Sequence, residues 1–559
     1  MQKLPWIAAI LVQAIAMAGC AGEPPADLVL AGGTVYTLDT ARPRAEAVAV
    51  RDGHIVAVGE AGTVRELIGE NTRVVDLYGA FVYPGFTDSH MHLRGVGERE
   101  LTLNLEAIES LAALKSRLAR EVAGREPGEW IIGRGWIETH WDPPVFPTRA
   151  DLDAVAPENP VALTRADGHA LVANSLALEL AGIDASTEAP FGGAIPKGED
   201  GEPAGMLVDN AMALLADVMP DNAVSAEKAL VTGAERSARF GWTGVQVAGT
   251  TWDEAMLLRD LVAAGKIPVR IYNAIEGPSA STAKLLEHGP IVGESGGRFT
   301  MRGIKVSVDG ALGSRGAALL EPYADADTSG LLTWRREDLM PLYAEALKKG
   351  VQIETHAIGD RANRFVLDLY AAAFEQVPEA QRKIAEPRWR IEHAQILAVE
   401  DIPRFAKLRV IPSMQASHAI GDLHFAPRRL GEERLAGAYA WRSLRDTGVI
   451  IPGGSDAPVE QGDPRIEFYA MAVRRDLSGY QGENWHPEQA LTREDALRSL
   501  TLWPAYAAFE EDTRGSIEVG KYADFTVLAG DLLNMPADEI PHTEIRMTIV
   551  GGDIVHDAR

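Results

Sequence analysis

Six side chains able to bind a metal or move a proton recur at the ends of apolar runs. The run Phe81-Val-Tyr-Pro-Gly-Phe-Thr-Asp-Ser-His-Met-His-Leu carries His90 and His92. At i and i+2 on a strand, two side chains share one face, so both imidazoles can reach a single cation. Lys305 lies in Arg302-Gly-Ile-Lys-Val-Ser-Val-Asp-Gly, and His356 ends Gln352-Ile-Glu-Thr-His. His393 ends Arg390-Ile-Glu-His, and Asp456 ends Pro452-Gly-Gly-Ser-Asp. Taken singly, each has an ordinary structural use as a paired lysine, a hydrogen-bonded core histidine or a turn aspartate. Taken together at strand ends, they form a donor set of imidazole nitrogen and carboxylate oxygen suited to a divalent ion.

The elements that must position them alternate in a regular way. Strand-like apolar runs fall at 82–88, 244–248, 269–274, 303–309, 351–356, 389–393, 409–415 and 449–456, with helical stretches between most of them, as at 336–349 and 361–374. Eight such strands joined by helices predict an α/β fold, a parallel (β/α)8 TIM barrel over 81–505. In such a barrel the strands' C-terminal ends form the catalytic face. The gap after the first strand is too long for one helix and predicts an inserted subdomain at about 95–235, lying over that face. Short β-like runs broken by glycine fill 27–80 and 506–559. Neither end has strands enough for a core of its own, so the two are expected to pair as one small β-sandwich.

Composition narrows the function classes. Hydrophobic residues make up 46% and charged residues 24% of 559, which permits a large core. The formal net charge of -26 repels phosphate backbones and argues against a nucleic-acid partner. The one cysteine, Cys20, excludes an internal disulfide. It follows Lys3, an apolar stretch from Leu4 to Met17, and two small residues, which together read as a signal peptide over 1–19. Met17-Ala18-Gly19-Cys20 resembles a bacterial lipobox, although Leu is commoner than Met at its first position; cleavage after Ala18 is the alternative. On the first reading Cys20 is lipid-anchored through a tether at 20–26, and Ala21 in place of Asp favours an outer-membrane address facing the periplasm. On the second the protein is soluble in the periplasm or secreted.

The order H-x-H, Lys, His, His, Asp on strands 1, 4, 5, 6 and 8 resembles the binuclear amidohydrolase superfamily. Pro84-Gly-Phe-Thr-Asp-Ser-His-Met-His, Asp309-Gly-Ala-Leu-Gly-Ser-Arg, His356-Ala-Ile-Gly-Asp-Arg-Ala and Gly454-Ser-Asp-Ala-Pro are similar to the amidohydrolase-3, YtcJ-like branch. Gly515-Ser-Ile-Glu-Val-Gly-Lys-Tyr-Ala-Asp is typical of members with a split sandwich. The resemblance implies that His90, His92 and Asp456 hold a buried divalent ion, with zinc expected, and that His356 and His393 hold an exposed one. It implies that a carboxylated Lys305 bridges them, with a single-metal version as the alternative. The ion would lower the pKa of water from about 15.7 toward about 7, and Asp456 would shuttle the proton. The insert phrase Asp167-Gly-His-Ala-Leu-Val-Ala-Asn-Ser resembles a family phrase and offers His169 as a catalytic contact and Asn174 as a substrate contact. Ser314 and Arg315 are further substrate candidates, and Trp136, Trp141 and Trp242 are candidate pocket walls. The expected activity is hydrolysis of an amide-type C–N bond in a small molecule. Deaminase, cyclic-amide hydrolase and esterase or lactonase chemistry on the same barrel, or a lipid-anchored binding protein without turnover, are the alternatives.

Overall fold

A computed structural model describes residues 24–216, 218–220 and 224–559. The signal peptide and Cys20 lie outside the described residues. Eight parallel strands lie side by side in chain order: β1 (Phe86–Met91), β2 (Trp242–Thr250), β3 (Arg270–Glu276), β4 (Phe299–Ser307), β5 (Gln352–Ala357), β6 (Arg390–His393), β7 (Ile411–Gln415) and β8 (Gly453–Gly454). The ring closes where the chain after β8 meets β1. Asp456 N donates to His90 O at 2.7 Å, and His92 N donates to Ala457 O at 2.8 Å. The strands are buried on both faces, as parallel strands covered by helices must be. Helix Arg336–Lys349 stops at Gly350 in the left-handed region, and helix Asp360–Gln376 buries Val366, Leu367, Tyr370 and Ala373 against the barrel.

The run expected as one strand over 82–88 is two. Phe81–Pro84 joins a sheet made by the termini, and β1 begins only at Phe86. Gly85 makes the handover, because a Cβ there would lie 2.2 Å from Thr243 Oγ1. The terminal strands pair with each other, as expected, in one continuous sheet that folds over a shared core. Its order is Asp553–Asp557, Ile545–Val550, Phe525–Leu528, Phe81–Pro84, Leu28–Tyr36, Arg44–Arg51 and His54–Gly59, with Arg73–Asp76 also on Leu28–Tyr36. The sheet curls so that Ile55 and Val58 at one edge share a core with Met547 and Ile549 near the other. Arg270 of β3 ties this sheet to the barrel through a buried bidentate pair with Asp524, at 2.6 and 2.9 Å.

The segment between β1 and β2 builds a six-stranded sheet in the order Gly193–Ala194, Met206–Asp209, Ala170–Ala173, Val161–Arg165, Ile131–Trp136 and Leu103–Asn104. Apolar clusters cover both its faces. Helix Ala226–Arg239, at the end of the expected insert, puts Leu230, Ala234 and Ala238 into the barrel's own core.

Candidate functional site

The ends of the barrel strands bring the predicted residues together. His90 Nε2 and His92 Nε2 stand 3.4 and 3.1 Å from Asp456 Oδ1. The rings of His90 and His393 are centred 4.9 Å apart, and those of His356 and His393 4.4 Å apart. Lys305, His92, His356, His393 and Asp456 share one cavity of about 460 Å³. A larger cleft of about 650 Å³ opens at the other end of the barrel, beside the starts of β6 and β7, far from these groups.

Two sets of donor atoms lie within 4.8 Å of one another: His90, His92 and Asp456, and His393, His418 and Asp456. Asp456 belongs to both. His90 Nε2, His356 Nε2, His393 Nδ1, His418 Nε2 and Asp456 Oδ1 are all buried without a hydrogen-bond partner. Five orphaned polar atoms at one spot carry a desolvation cost that a cation would remove, so this donor set fits a divalent ion. His393 and Asp456 also sit at positive φ, 71° and 56°, which is uncommon for these residue types and concentrates at functional sites.

His90 is held by a buried relay. Its Nδ1 lies 2.5 Å from Glu392 Oε2, and Arg390 grips both Glu392 oxygens, at 2.6 and 2.9 Å. With Nδ1 protonated toward Glu392, Nε2 keeps its lone pair toward Asp456. Burial, then the Lys305 charge, pushes His90 down to about 4. Burial and the neighbouring cationic groups take His356 and His393 well below the ordinary imidazole range, so these rings are neutral and can coordinate. Burial would raise Asp456, but the closeness of His92, with the charges of His90 and His418, holds it below the usual carboxylate range. Lys305 makes no hydrogen bond or ion pair among the described residues, and burial lowers it against the pull of Asp456, Glu392, Glu354 and Glu276.

His169 reaches the barrel mouth from the insert, its ring centred 5.0 Å from that of His356. Its Nδ1 is bonded to Asp209 Oδ1 at 2.7 Å. Burial alone would lower it, yet Asp209, Asp167 and Asp456 bring it above the ordinary histidine value.

Several expected contacts are corrected. Asn174 is fully buried and spends its amide internally: it accepts from Val161 N and Ala177 N and donates to Ala156 O and Asn159 O. It caps helix Ser175–Leu180 and has no group left for a substrate. Arg315 forms a two-point pair with Asp325, and Ser314 Oγ lies 3.3 Å from Ala311 O; neither lines the cavities around the histidines. Trp136 and Trp141 pack in the insert's core with their indole N–H groups on Leu163 O and Ile108 O. Trp242 is in the barrel core, bonded to Gly462 O. The wall beside the histidines comes instead from Phe425, Leu312, Ile358 and Val459, in a cavity of about 230 Å³.

Sequence reasoning missed His418, which follows β7 by three residues, in helix Ala416–Asp422. Its Nε2 is 3.6 Å from Asp456 Oδ2. It also missed Asp309, whose Oδ1 is 3.4 Å from His356 Nε2 while three backbone N–H groups hold the carboxylate. An Asp two residues beyond a strand and a His just past a strand end are the signals that could have found them.

A family model described as the amidohydrolase family matches residues 73–556. The chain is 34% identical to the putative amidohydrolase YtcJ of Bacillus subtilis, over 94% of this chain and 98% of that one. It is 29% identical to an N-substituted formamide deformylase of Arthrobacter pascens, over 94% and 97%. Among solved structures, an uncharacterized metal-dependent hydrolase from Pyrococcus horikoshii OT3 superposes with a TM-score of 0.72 at 27% identity, covering 91% of this chain and 99% of that one.

Proposed function

Because this chain belongs to the amidohydrolase family, a hydrolase acting on C–N bonds other than peptide bonds, we propose that it cleaves the amide bond of a small N-acyl or N-formyl compound. The observation that carries the reading is the set of five buried, unpartnered donor atoms on His90, His356, His393, His418 and Asp456. A divalent ion such as zinc, when bound there, supplies acidification of a water molecule and polarisation of the scissile carbonyl. His90, His92 and Asp456 are assigned to one ion, and His393 and His356, with His418 beside them, to a second.

The remaining work falls to the protein. Asp456 takes a proton from the attacking water and delivers it to the leaving nitrogen. His169, charged more readily than an ordinary histidine and fixed through Nδ1, offers its Nε2–H to the carbonyl oxygen as negative charge develops there. Lys305 is assigned as a carbamate. Its neutral amine attacks the carbon of CO2, a C–N bond forms, one proton leaves, and an anionic oxygen ligand results. Burial favours the neutral amine that this step requires.

N-formyl compounds head the test panel because a relative is named for deformylation. Purified protein is assayed for metal content, then for amine release from N-formyl and N-acyl amines with and without chelator. Chelator-sensitive release is the expected result; metal-free protein with full activity sinks the reading. For location, we assign export with a lipid anchor on Cys20, and Cys20→Ser then moves the protein out of the membrane fraction or leaves the precursor unprocessed. A wild-type protein that is soluble and begins at Gly19 disproves the anchor.

A further inference from the structure

We propose that Arg134 binds a carboxylate of the substrate, so that the amides cleaved best carry a carboxylate near the scissile C–N bond, as N-formyl and N-acyl amino acids do. This rests on the amide-hydrolysis reading above.

Several buried guanidinium groups elsewhere have their charge or their donors matched. Arg165 pairs with Glu138 and Asp167, Arg270 with Asp524, and Arg390 with Glu392. Arg474 has no carboxylate but donates to the carbonyls of Trp485, Tyr439 and Ala438. Arg134, half-buried, has neither arrangement. Among the described residues its one hydrogen bond runs from Nη2 to Ala166 O at 3.3 Å, and its Nε is buried without a partner. A guanidinium carries five N–H donors in a rigid fork and keeps its charge in proteins, so most of this group's capacity is unspent. Burial, with the Arg99 charge adding to it, lowers its pKa against the pull of Asp456, Asp167 and Glu98, in keeping with a cation that lacks a close partner.

The placement of Arg134 is built rather than incidental. It stands in Ile131–Trp136, between Gly133 and Gly135. Gly135 has φ 115°, and the pairing with Val161–Arg165 slips between Arg134 and Trp136. Such a bulge re-aims a side chain, here into the cavity that also exposes Lys305, His92 and Asp456. A glycine leaves room for the fork: a Cβ on Gly168 would lie 2.9 Å from Arg134 Nη2, while Gly95 borders Nη1 at an ordinary contact distance, 3.6 Å from where its Cβ would stand. Gly168 is the glycine of Asp167-Gly168-His169, and Gly95 follows the His90–His92 pair by three residues.

A forked donor with free N–H groups matches a carboxylate through two parallel hydrogen bonds. The carbonyl oxygen of the amide is already addressed by His169, from a different strand connection. The remaining unmatched cation therefore addresses another group of the substrate, and a carboxylate supplies both the charge and the geometry.

The test uses the full-length, metal-loaded enzyme and a matched pair of compounds, N-formylphenylalanine and its decarboxylated partner N-formylphenethylamine. Wild type is expected to favour the acid in kcat/KM by on the order of 10²-fold, the usual scale for a desolvated charge pair. Arg134→Met should reduce that ratio on the order of 10²-fold, with Arg134→Lys between the two. Equal cleavage of both compounds by wild type overturns the inference, as does an equal loss on both in Arg134→Met. If Arg134→Met fails to fold, the wild-type ratio and the Arg134→Lys variant decide. If neither compound is cleaved, the amide reading fails instead, and calorimetric binding of N-formylphenylalanine to wild type and to Arg134→Lys still decides the arginine: unaltered affinity counts against it, a marked loss supports it.

Discussion

Glu392→Gln separates the support of a candidate ligand from the ligand itself. Glu392 is fully buried, with one oxygen 2.5 Å from His90 Nδ1 and both oxygens on Arg390. Glutamine keeps the volume but removes the charge and turns one acceptor into a donor. His90 then loses the carboxylate that fixes its tautomer. Removing a partner of this kind weakens metal binding about 10–100-fold, or about 1.4–2.7 kcal/mol. A second effect falls on Arg390. Breaking a buried pair typically costs about 3–5 kcal/mol. The lower end is expected here, because Arg390 NH2 keeps Ser89 O at 2.6 Å and has Glu354 at 3.8 Å. Burial holds the Glu354 carboxyl above its usual range, with Glu392 adding to the effect, so Glu354 ionises more readily once that charge is gone. Competition with a chromophoric chelator measures the first effect, and urea unfolding of the metal-free protein measures the second. A variant that binds metal as tightly as wild type refutes the relay through His90, whatever its stability.

Asp456→Asn should lower kcat by about 10²–10⁴-fold while retaining a measurable metal content, since an amide can coordinate but cannot carry the proton; near-normal turnover removes the shuttle role. Asp524→Asn leaves Arg270 buried beside a neutral amide and should destabilise the protein by about 3–5 kcal/mol in chemical denaturation. Burial would raise Asp524, but Arg270 and the Gly551 N–H hold it below its ordinary value. Its contribution is therefore complete above the unfolded aspartate value of about 3.9 and is lost as the pH falls through the lower folded value. The variant should show a shallower acid loss of stability in that window, and an unaltered slope would count against the pair. Asn174→Ala should cost about 2 kcal/mol through the lost cap and its stranded partners, with KM unmoved; a raised KM at wild-type stability would restore it as a substrate contact.

The barrel was legible because its strands are short, apolar and regularly spaced, and because H-x-H alternation forces two imidazoles onto one face. The rest was hidden for specific reasons. His418 stands on a helix, where the strand-end rule does not apply. Asn174 shares a phrase with His169, but strand Ala170–Ala173 separates them, and the asparagine begins the following helix at the far end of that strand. Arg134 looks like any residue of Ile-Ile-Gly-Arg-Gly-Trp until the slip at Gly135 decides which way it faces. The break at Gly85 depends on Thr243, a contact remote in sequence. Local pattern predicts elements, whereas these four outcomes are fixed by tertiary neighbours.

The shared terminal sheet sets an order of events during synthesis. Phe81–Pro84 lies between Leu28–Tyr36 and Phe525–Leu528, and Phe86 N, at the start of β1, bonds Thr526 Oγ1 from 440 residues further on. At about 5–20 residues per second, the ribosome needs roughly 20–90 s to cover that distance. Through this interval one edge of Phe81–Pro84 has its backbone donors and acceptors uncovered, an invitation to pair with another nascent chain. The histidine-bearing strand begins two residues later, so its anchorage is completed only once Phe525–Leu528 has been made. Whatever keeps this edge covered until Phe525–Leu528 arrives thus bears on the yield of assembled histidine sites, although it touches none of their side chains.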